Sequence, residues 1–347
     1  MVREWSDECV IYYTEDYKLD NNYHYITCGS NHQKYGFNLG DWFNTLLYHL
    51  SINIDNRYNI NCIICIDESC LTLAKLFYMA FEKVHYVLVT KSQEKLSHLI
   101  QHNTHVMHKN NILLGFLLEE ENISKENDWC NAYIKIFVDN NWHDIHYPVH
   151  TILKLCNENT LQKQGRTRRI RLSIGLRKLQ QAKDLLIKTF ISYDVYNIND
   201  TMCIYPDRSD NNQSLLNYPV LNTYCEESRR KNKNILIHFK TSLIDNSEYI
   251  NDRLNTECCI QNKDIIKVSH FSLDELLIFS NNKDNTLIMS RSGLCEIMYW
   301  LNVKCSIHCI FPPNFAFFFY DARNPDRDTY EKLESTNITT QLKEILL

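Results

Sequence analysis

The sequence predicts an α/β protein with two Rossmann-like domains, each built on a parallel sheet, that face one another across a cleft. Short apolar segments alternate with helical patterns in the first part of the chain, and the same alternation restarts near residue 200. Strands separated by helices form parallel sheets through crossover connections. The chain of 347 residues also exceeds the length, roughly 250–300 residues, at which a single core stops growing.

The first part of the chain contains four predicted strands and three predicted helices. Each strand is a short apolar run, and each helix repeats apolar residues at intervals of three and four. The predicted elements are the strand Tyr23–Cys28, the helix Trp42–Ser51, the strand Cys62–Ile66, the helix Leu71–Glu82, the strand His85–Thr90, the helix Gln93–His102 and the strand Ile112–Phe116.

The second part contains five predicted strands and four predicted helices, followed by the tail Asp328–Leu347, which is predicted as an amphipathic helix. The strands are Met202–Tyr205, Ile235–Phe239, Ile265–Val268, Thr286–Met289 and Lys304–Ile310, and the helices are Leu215–Arg230, Ser247–Leu254, Leu273–Phe279 and Leu294–Leu301. We therefore predict domains over residues 1–155 and 156–325, with a C-terminal helix over residues 326–347.

A Ser-Arg-Ser-Gly turn at residues 290–293 joins a predicted strand to a predicted helix. Ser292 can cap the helix, Gly293 allows a ligand to approach the backbone closely, and Arg291 adds a fixed positive charge. The chain has only 7 glycines, so one at this position indicates a backbone requirement. Because the first turn of a helix attracts anions, the turn predicts a phosphate site.

A polar loop follows the first strand of the second domain. It carries one cation and several hydrogen-bonding side chains, Arg208, Ser209, Asn212 and Ser214. Such a loop could bind a diphosphate at the same sheet edge as the Ser-Arg-Ser-Gly turn. The alternative is an ordinary polar turn without a ligand.

The pair Gly40-Asp41 lies immediately before the first predicted helix, with Asn44 in its first turn. A carboxylate at the mouth of the predicted cleft would suit a general base, because burial there would raise its pKa. Asp41 could equally serve only as the N-cap of the helix. Both roles are compatible with one another.

Basic residues are concentrated at one point of a chain whose net charge is −5. Arg166, Arg168, Arg169 and Arg171 precede a helical pattern that begins at Leu179. They form either a solvated linker or a contact with phosphorylated or membrane-surface groups. The overall negative charge argues against a general nucleic-acid-binding protein.

Several functional classes lack their sequence signatures. The 14 cysteines and the histidine clusters do not have the spacing of a metal site, and no metal is predicted. No P-loop, dinucleotide or serine-hydrolase motif is present, and no apolar run is long enough to span a bilayer. The polar N-terminus does not resemble a secretory signal, so the cytosol is the expected compartment, with the inner face of the membrane within reach of the basic segment.

Residues 263–297 resemble the donor side of bacterial GT-B glycosyltransferases of the surface-polysaccharide type. The resemblance lies in Ser272-Leu-Asp-Glu-Leu, a following strand, and the Arg-Ser-Gly turn, with Glu296 where aspartate is commoner. Gly40-Asp41 is placed similarly to the Gly-Asp pair of heptosyltransferase-like enzymes, where the aspartate is implicated as the base. The resemblance covers about 60 residues and is strongest at Arg291-Ser-Gly.

The resemblance implies a metal-independent glycosyltransferase that uses a nucleotide-sugar co-substrate and no other cofactor. Residues 1–155 would form the acceptor-side domain, with Gly40, Asn44 and the base Asp41. Residues 156–325 would bind the donor through Arg208, Ser209, Asn212, Ser214, Arg291, Ser292, Gly293 and Glu296. The acceptor would be a glycan or a lipid-linked group. A nucleotide-sugar epimerase and a non-catalytic α/β binding protein remain the alternatives.

Overall fold

The computed structural model of the protein describes residues 2–20, 24–28, 39–52, 61–65, 68–102, 112–113, 162–190, 198–205, 220–231, 233–238, 266–269, 271–290, 292–311 and 342–346. The chain divides into two compact units, Met1–Leu186 with Ala322–Thr336 and Ile187–Asp321 with Asn337–Leu347. The first unit therefore continues beyond the predicted boundary at residue 155. Each unit contains one parallel sheet and is of the α/β class, as predicted.

The sheet of the first unit has five described strands in the order β1-β4-β3-β2-β5. All of its neighbouring strands run parallel. The strands are β1 (Val10–Tyr12), β2 (His24–Cys28), β3 (Asn61–Cys65), β4 (Val84–Val89) and β5 (Ile112–Leu113). Strand β1 was not predicted, because three residues at a sheet edge are too few to show a periodic pattern.

Three helices of the first unit follow its strands. They are α1 (Leu39–Ile52), α2 (Leu71–Ala80) and α3 (Gln93–His102). Helix α1 begins before the predicted start at Trp42, so Asp41 is the third helical residue and not the N-cap. Helix α2 buries eight side chains between Thr72 and Ala80, which explains why its sequence is apolar on nearly every face.

A fourth helix, α4 (Gln162–Thr189), includes the whole basic segment in one element of 28 residues. Of the two alternatives for the basic segment, the solvated linker before a helix at Leu179 is therefore wrong. Arginine, lysine, glutamine and leucine are all good helix formers, and together they outweigh the two glycines of the segment. No described helix is both long and apolar enough to cross a membrane.

Gly175 lies where α4 packs against α1. A Cβ atom at this position would be 2.0 Å from the Ser51 Oγ and 3.3 Å from the Leu47 Cδ1. A glycine inside a helix reduces stability by about 1 kcal/mol relative to alanine, so it needs a packing reason. The close approach of the two helices is that reason.

The sheet of the second unit has six described strands in the order β11-β10-β9-β6-β7-β8. They are β6 (Thr201–Tyr205), β7 (Asn234–His238), β8 (Ile266–Ser269), β9 (Thr286–Ser290), β10 (Ser306–Phe311) and β11 (Leu342–Leu346). All pairs are parallel. All five residues of β6 are buried, as expected for a strand at the centre of the sheet.

The described helices of the second unit are α5 (Val220–Lys231), α6 (Leu273–Ser280) and α7 (Gly293–Trp300). Helix α5 starts later than the predicted Leu215. Pro219 precedes it in sequence, and a proline disfavours helical geometry in the residue before it. The predicted helix Ser247–Leu254 lies outside the described residues.

The predicted C-terminal helix over residues 326–347 is wrong at its end, because Leu342–Leu346 forms strand β11. The apolar residues of this segment lie at positions i, i+3 and i+4, which is a helical pattern. The segment instead pairs in parallel with β10, from Ile307 opposite Leu342 to Phe311 opposite Leu346. Strand pairing at an otherwise open sheet edge has overridden the local preference. Residues 326–341 lie outside the described residues.

Candidate functional site

The second sheet has the strand order of a doubly wound dinucleotide-binding fold. Strands β6, β7 and β8 progress towards one edge, and the chain then returns to place β9, β10 and β11 on the other side of β6. The direction of winding therefore reverses between β6 and β9. In open α/β sheets, ligands bind outside the carboxyl ends of the strands at this switch point.

The turn after β9 has the geometry that the sequence predicted. Ser292 is the N-cap of α7, with extended backbone, and its Oγ accepts a hydrogen bond from the Cys295 amide at 3.3 Å. Gly293 is the first helical residue. The first amides of a helix have no acceptor within the helix, so those of Gly293 and Leu294 can bind an anion.

Strands β6 and β9 end side by side, with Tyr205 paired to Met289. The loop that contains Arg208, Ser209, Asn212 and Ser214 follows β6, and Arg291 follows β9. All five of these residues lie outside the described residues, so their contribution to binding stays a prediction. The two chain segments nevertheless leave the sheet from adjacent strands at the same edge.

Tyr205, the last residue of β6, has a buried hydroxyl that makes no hydrogen bond in the described structure. Its ring stacks on that of His238, the last residue of β7, with centroids 4.3 Å apart. The His238 Nε2 lies 3.2 Å from the Phe271 carbonyl oxygen, to which it can donate. Burial, and then the nearby Cys203 and Glu275, raise the pKa of Tyr205 well above its usual value. Its phenol is therefore neutral at physiological pH.

Ser290, the last residue of β9, has a second buried hydroxyl without a hydrogen-bond partner among the described residues. Its exposed fraction is 2%. Because side chains alternate along a strand and Tyr205 is paired with Met289, Ser290 faces the opposite side of the sheet from Tyr205. Among the described residues, the strand ends at the switch point thus have one hydroxyl without a hydrogen-bond partner on each face of the sheet.

Buried polar groups without partners are rare in native proteins, and a common explanation is a ligand or water that occupies the site. Neither Tyr205 nor Ser290 was predicted as a donor-binding residue from the sequence. The available signal was their position, since Ser290 is the first residue of the turn predicted to bind phosphate and Tyr205 ends the strand before the polar loop. Polarity at the end of an otherwise apolar strand could have identified both.

Glu296 was predicted to contact the donor, but its side chain is buried and occupied within the protein. Its Oε1 accepts a hydrogen bond from the Trp300 Nε1 at 3.2 Å, one turn later in α7. Trp300 is itself 1% exposed. This contact explains the carboxylate as the hydrogen-bond acceptor of a buried indole in the same helix, without requiring a ligand.

The acceptor-side candidates lie in the first two turns of α1. Gly40 is buried, and Asp41 and Asn44 follow it in the helix, although their side chains lie outside the described part of the structure. Helix α1 follows β2, which lies between β3 and β5. The winding of the first sheet therefore reverses between β2 and β5, which is the switch point of this sheet. Helix α1, which contains Asp41, follows β2 in the chain and so begins near that switch point.

The four arginines proposed for membrane contact, Arg166, Arg168, Arg169 and Arg171, all lie in the first half of α4. Their side chains lie outside the described part of the structure. No group of three or more His, Cys, Asp or Glu side chains is placed to bind a metal within the described ranges.

The chain is similar in structure to two solved glycosyltransferases. The E. coli ADP-heptose LPS heptosyltransferase II has a TM-score of 0.41 and 11% identity, over 92% of this chain and 89% of that chain. The glycosyl transferase family 9 protein from Veillonella parvula DSM 2008 has a TM-score of 0.42 and 10% identity, over 96% of this chain and 88% of that chain. No protein-family model and no curated protein matches the chain.

By their names, both structures are of glycosyltransferases. TM-scores below 0.5 do not identify an activity, which has to come from this chain's own residues.

Proposed function

We propose that the protein is a glycosyltransferase that binds a nucleotide-activated sugar donor at the carboxyl edge of its second sheet. We call this place the donor edge and define it by Tyr205, Ser290, Ser292 and Gly293. The observation that carries the proposal is the position of the capped N-terminus of α7 next to the β6–β9 switch point. Strand order and helix N-terminus favour the same ligand, a nucleotide with a diphosphate.

The diphosphate would be bound by charge and by backbone amides. Arg291 is the closest cation in sequence to the capped turn, and Arg208 follows the adjacent strand. Ser209, Asn212 and Ser214 would add hydrogen bonds from the loop after β6. Charge on the leaving diphosphate would then be stabilised without a divalent metal.

The unpaired hydroxyls of Tyr205 and Ser290 support a polar ligand at this edge. Each is nine-tenths or more buried, so each needs a hydrogen-bond partner to offset its loss of water. A neutral phenol and a serine hydroxyl can both donate to phosphate or sugar oxygens and accept from sugar hydroxyls.

The choice of sugar transfer among nucleotide-dependent reactions rests on residues 263–297. In the structure this segment runs from β8 to the Ser272 capping box of α6, then to β9 and to the capped start of α7. This is the order of elements that the resemblance to GT-B enzymes implies. Asp41 would be the base that accepts the proton of the acceptor hydroxyl, and the acceptor would be a glycan or a lipid-linked group.

The proposal is tested by incubating the protein with UDP-, GDP-, CMP- and ADP-sugars, with and without glycan or lipid-linked acceptors, in the presence of EDTA. Acceptor-dependent release of one nucleotide is the expected result. Epimerisation of a donor without acceptor would instead select the epimerase, and tight binding without turnover would select the binding protein.

A further inference from the structure

Three side chains from separate strand ends meet at the carboxyl edge of the first sheet, and we call them the Tyr12 cluster. Tyr12 is the last residue of β1, Lys91 lies two residues after the end of β4, and Glu68 follows β3. The Lys91 Nζ is 4.7 Å from the centroid of the Tyr12 ring and 3.1 Å from the Glu68 Oε1. Because β1, β4 and β3 are parallel neighbours, the three residues lie at the same edge of the sheet.

The stability of the fold does not account for the Tyr12 cluster. Tyr12 has an exposed fraction of 49%, and Ile174 is the only other large hydrophobic residue that is classed as exposed among the described residues. The side chains of Lys91 and Glu68 are 52% and 58% exposed. Ion pairs between exposed side chains contribute little to the free energy of unfolding. The fold therefore gains little from holding these three side chains together in solvent.

The backbone of Lys91 has a φ of 64°, in the left-handed region. The other described residues with a positive φ that are not glycine are Asp200 and Asn302, whose short polar side chains tolerate this conformation better. A lysine has no such advantage, so its conformation costs free energy. Backbone strain of this kind is concentrated at sites that bind ligands.

The chemistry of the Tyr12 cluster fits a sugar ring. An aromatic ring has an electron-rich face, against which the C–H groups of a pyranose can pack. The Lys91 ammonium donates hydrogen bonds and the Glu68 carboxylate accepts them, and sugar hydroxyls can pair with both. Nearly half of Tyr12 is exposed although Lys91 lies over its ring, so aromatic surface is left for a ligand. The contact with Lys91 also orders the ring before a ligand binds, which lowers the entropic cost of binding.

We propose that the Tyr12 cluster binds one sugar of an oligosaccharide acceptor, at a distance from the sugar that reacts. The inference rests on the proposed function, in which Asp41 of α1 is the base. Helix α1 follows β2, and the strand order β1-β4-β3-β2 separates β1 from β2 by three strand spacings, or about 14 Å. A single sugar ring is too short to span this distance, whereas an oligosaccharide can. The acceptor therefore carries several sugars, and the one at Tyr12 contributes binding energy without reacting.

A sugar accounts for the Tyr12 cluster better than a nucleobase does. Single-stranded nucleic acids also stack on exposed tyrosines, but they need a positively charged groove along their backbone. Glu68 neutralises Lys91, and residues 14–20, which follow β1, contain three acidic residues and one lysine. The charge around Tyr12 thus gives no attraction for a polyanion.

The test is binding of the full chain, without nucleotide, to a glycan array, followed by calorimetric titration with the oligosaccharide that binds best and with its constituent monosaccharide. We expect the oligosaccharide to bind more tightly than the monosaccharide. Tyr12→Ala should raise the dissociation constant of the oligosaccharide by roughly threefold to tenfold, whereas Tyr12→Phe keeps the ring and should bind like the parent. Ile174→Ala, which removes the other exposed large hydrophobic side chain, is the matched control and should also bind like the parent.

Lys91→Gly provides a second variant whose folding is not in doubt, because glycine readily adopts a φ of 64°. It should melt at the parent's temperature or above it and bind the oligosaccharide more weakly, since the ammonium is lost. Where transfer is measured, Tyr12→Ala should raise the KM of a long acceptor and leave that of a short acceptor unchanged. Circular dichroism checks that each variant is folded.

The binding measurement does not depend on transfer, so the two proposals can fail separately. If nucleotide-dependent transfer is found but no oligosaccharide binds, or if Tyr12→Ala binds like the parent, the sugar site is overturned and the proposed function stands. If an oligosaccharide binds through Tyr12 and no nucleotide sugar is turned over, the sugar site stands and the proposed function fails. Binding of a single-stranded oligonucleotide through Tyr12 in place of the oligosaccharide would also overturn the inference.

Discussion

The rings of Tyr205 and His238 stack at the carboxyl ends of neighbouring strands, with centroids 4.3 Å apart and an interplanar angle of 17°. The imidazole is held in turn by its contact with the Phe271 carbonyl oxygen. This stacking fixes the phenol ring at the donor edge, where its hydroxyl has no hydrogen-bond partner among the described residues. Because burial keeps the phenol neutral, Tyr205 can donate a hydrogen bond to a ligand and does not act as a base at physiological pH.

We expect Tyr205→Phe and Ser290→Ala to weaken nucleotide binding without lowering stability. Each removes a buried hydroxyl that has no hydrogen-bond partner among the described residues, so the free energy of unfolding should stay the same or rise by about 1–3 kcal/mol. The dissociation constant for the nucleotide, measured by calorimetry, should rise by roughly threefold to tenfold for each neutral hydrogen bond lost.

Tyr224→Phe is the matched control for these two variants. Its hydroxyl lies 2.7 Å from the His308 Nδ1, so the control loses a hydrogen bond that the protein makes. It should be destabilised by about 1 kcal/mol and bind nucleotide like the parent. If Tyr205→Phe is destabilised in the same way and keeps full affinity, its hydroxyl does not belong to a ligand site.

The alkaline stability of the protein should depend on Tyr205. Burial raises the pKa of Tyr205 in the folded state above the unfolded value of about 10. The contribution of the neutral phenol to the free energy of unfolding is therefore fully present below about pH 10. Above that pH the unfolded state ionises first, and the free energy of unfolding falls. Tyr224, whose pKa burial raises to about 12, adds a loss in the same direction. Urea unfolding between about pH 9 and about pH 12 should show a shallower decline for Tyr205→Phe than for the parent.

Arg291→Ala should weaken nucleotide binding while the protein stays folded. Loss of a charge-assisted contact with phosphate costs about 1.5–3 kcal/mol, which is roughly a tenfold to 150-fold rise in the dissociation constant. Arg230→Ala, which removes an exposed arginine from α5, is the control and should leave affinity unchanged. If the parent and Arg291→Ala bind nucleotide with equal affinity, the turn before α7 has only a structural role.

Asp41→Asn tests the proposed base. The substitution keeps the side-chain shape but removes proton acceptance, so transfer should fall by roughly 10²–10⁴-fold with donor affinity almost unchanged. Asp41 lies in the first turn of α1, where a negative charge stabilises the helix by about 0.3–1 kcal/mol. If turnover is normal and only this small loss of stability is found, the carboxylate stabilises the helix N-terminus and the base is another residue.

The contact between α4 and α1 should respond to Gly175→Ala. The added Cβ would meet the Ser51 Oγ, and such overpacking costs about 1–3 kcal/mol, of which better helix propensity returns about 1 kcal/mol. Ser51→Ala alone should be nearly neutral, since its buried hydroxyl has no partner in the described structure. In a double-mutant cycle, Ser51→Ala should recover part of the loss, and strict additivity would show that the two helices do not touch there.

Local patterns predicted most of the described helices and strands because these elements repeat their apolar residues regularly. Their ends also carry residues, such as helix caps, whose preference depends only on their neighbours in the sequence. The Ser292 cap is one example, since the preference of serine for this position depends only on neighbouring amides. The alternation of short apolar runs with helices likewise predicted the parallel sheets.

Long-range contacts decided what the sequence did not reveal. The strand order that creates the switch point depends on pairing between distant segments, such as β6 with β9. Strand β11 forms from a helical pattern because β10 offers a free edge. Gly175 breaks the helical preference locally, yet its closeness to Ser51 is visible only after folding. The hydroxyls of Tyr205 and Ser290 lack hydrogen-bond partners among the described residues, and that is a property of the packed structure that no local pattern reveals.

The most direct measurement of the central claim is a thermal-shift screen of the protein against UDP, GDP, CMP and ADP. The parent should be stabilised by one of them, by about 2.7 kcal/mol at 100 times the dissociation constant. Without nucleotide, Gly293→Val should unfold at the same temperature as the parent. The nucleotide should not stabilise this variant, because a branched side chain at the start of α7 blocks the approach of a ligand to the backbone. Gly293→Ala should retain part of the stabilisation by nucleotide. The account is contradicted if no nucleotide stabilises the parent, or if the same nucleotide stabilises Gly293→Val equally.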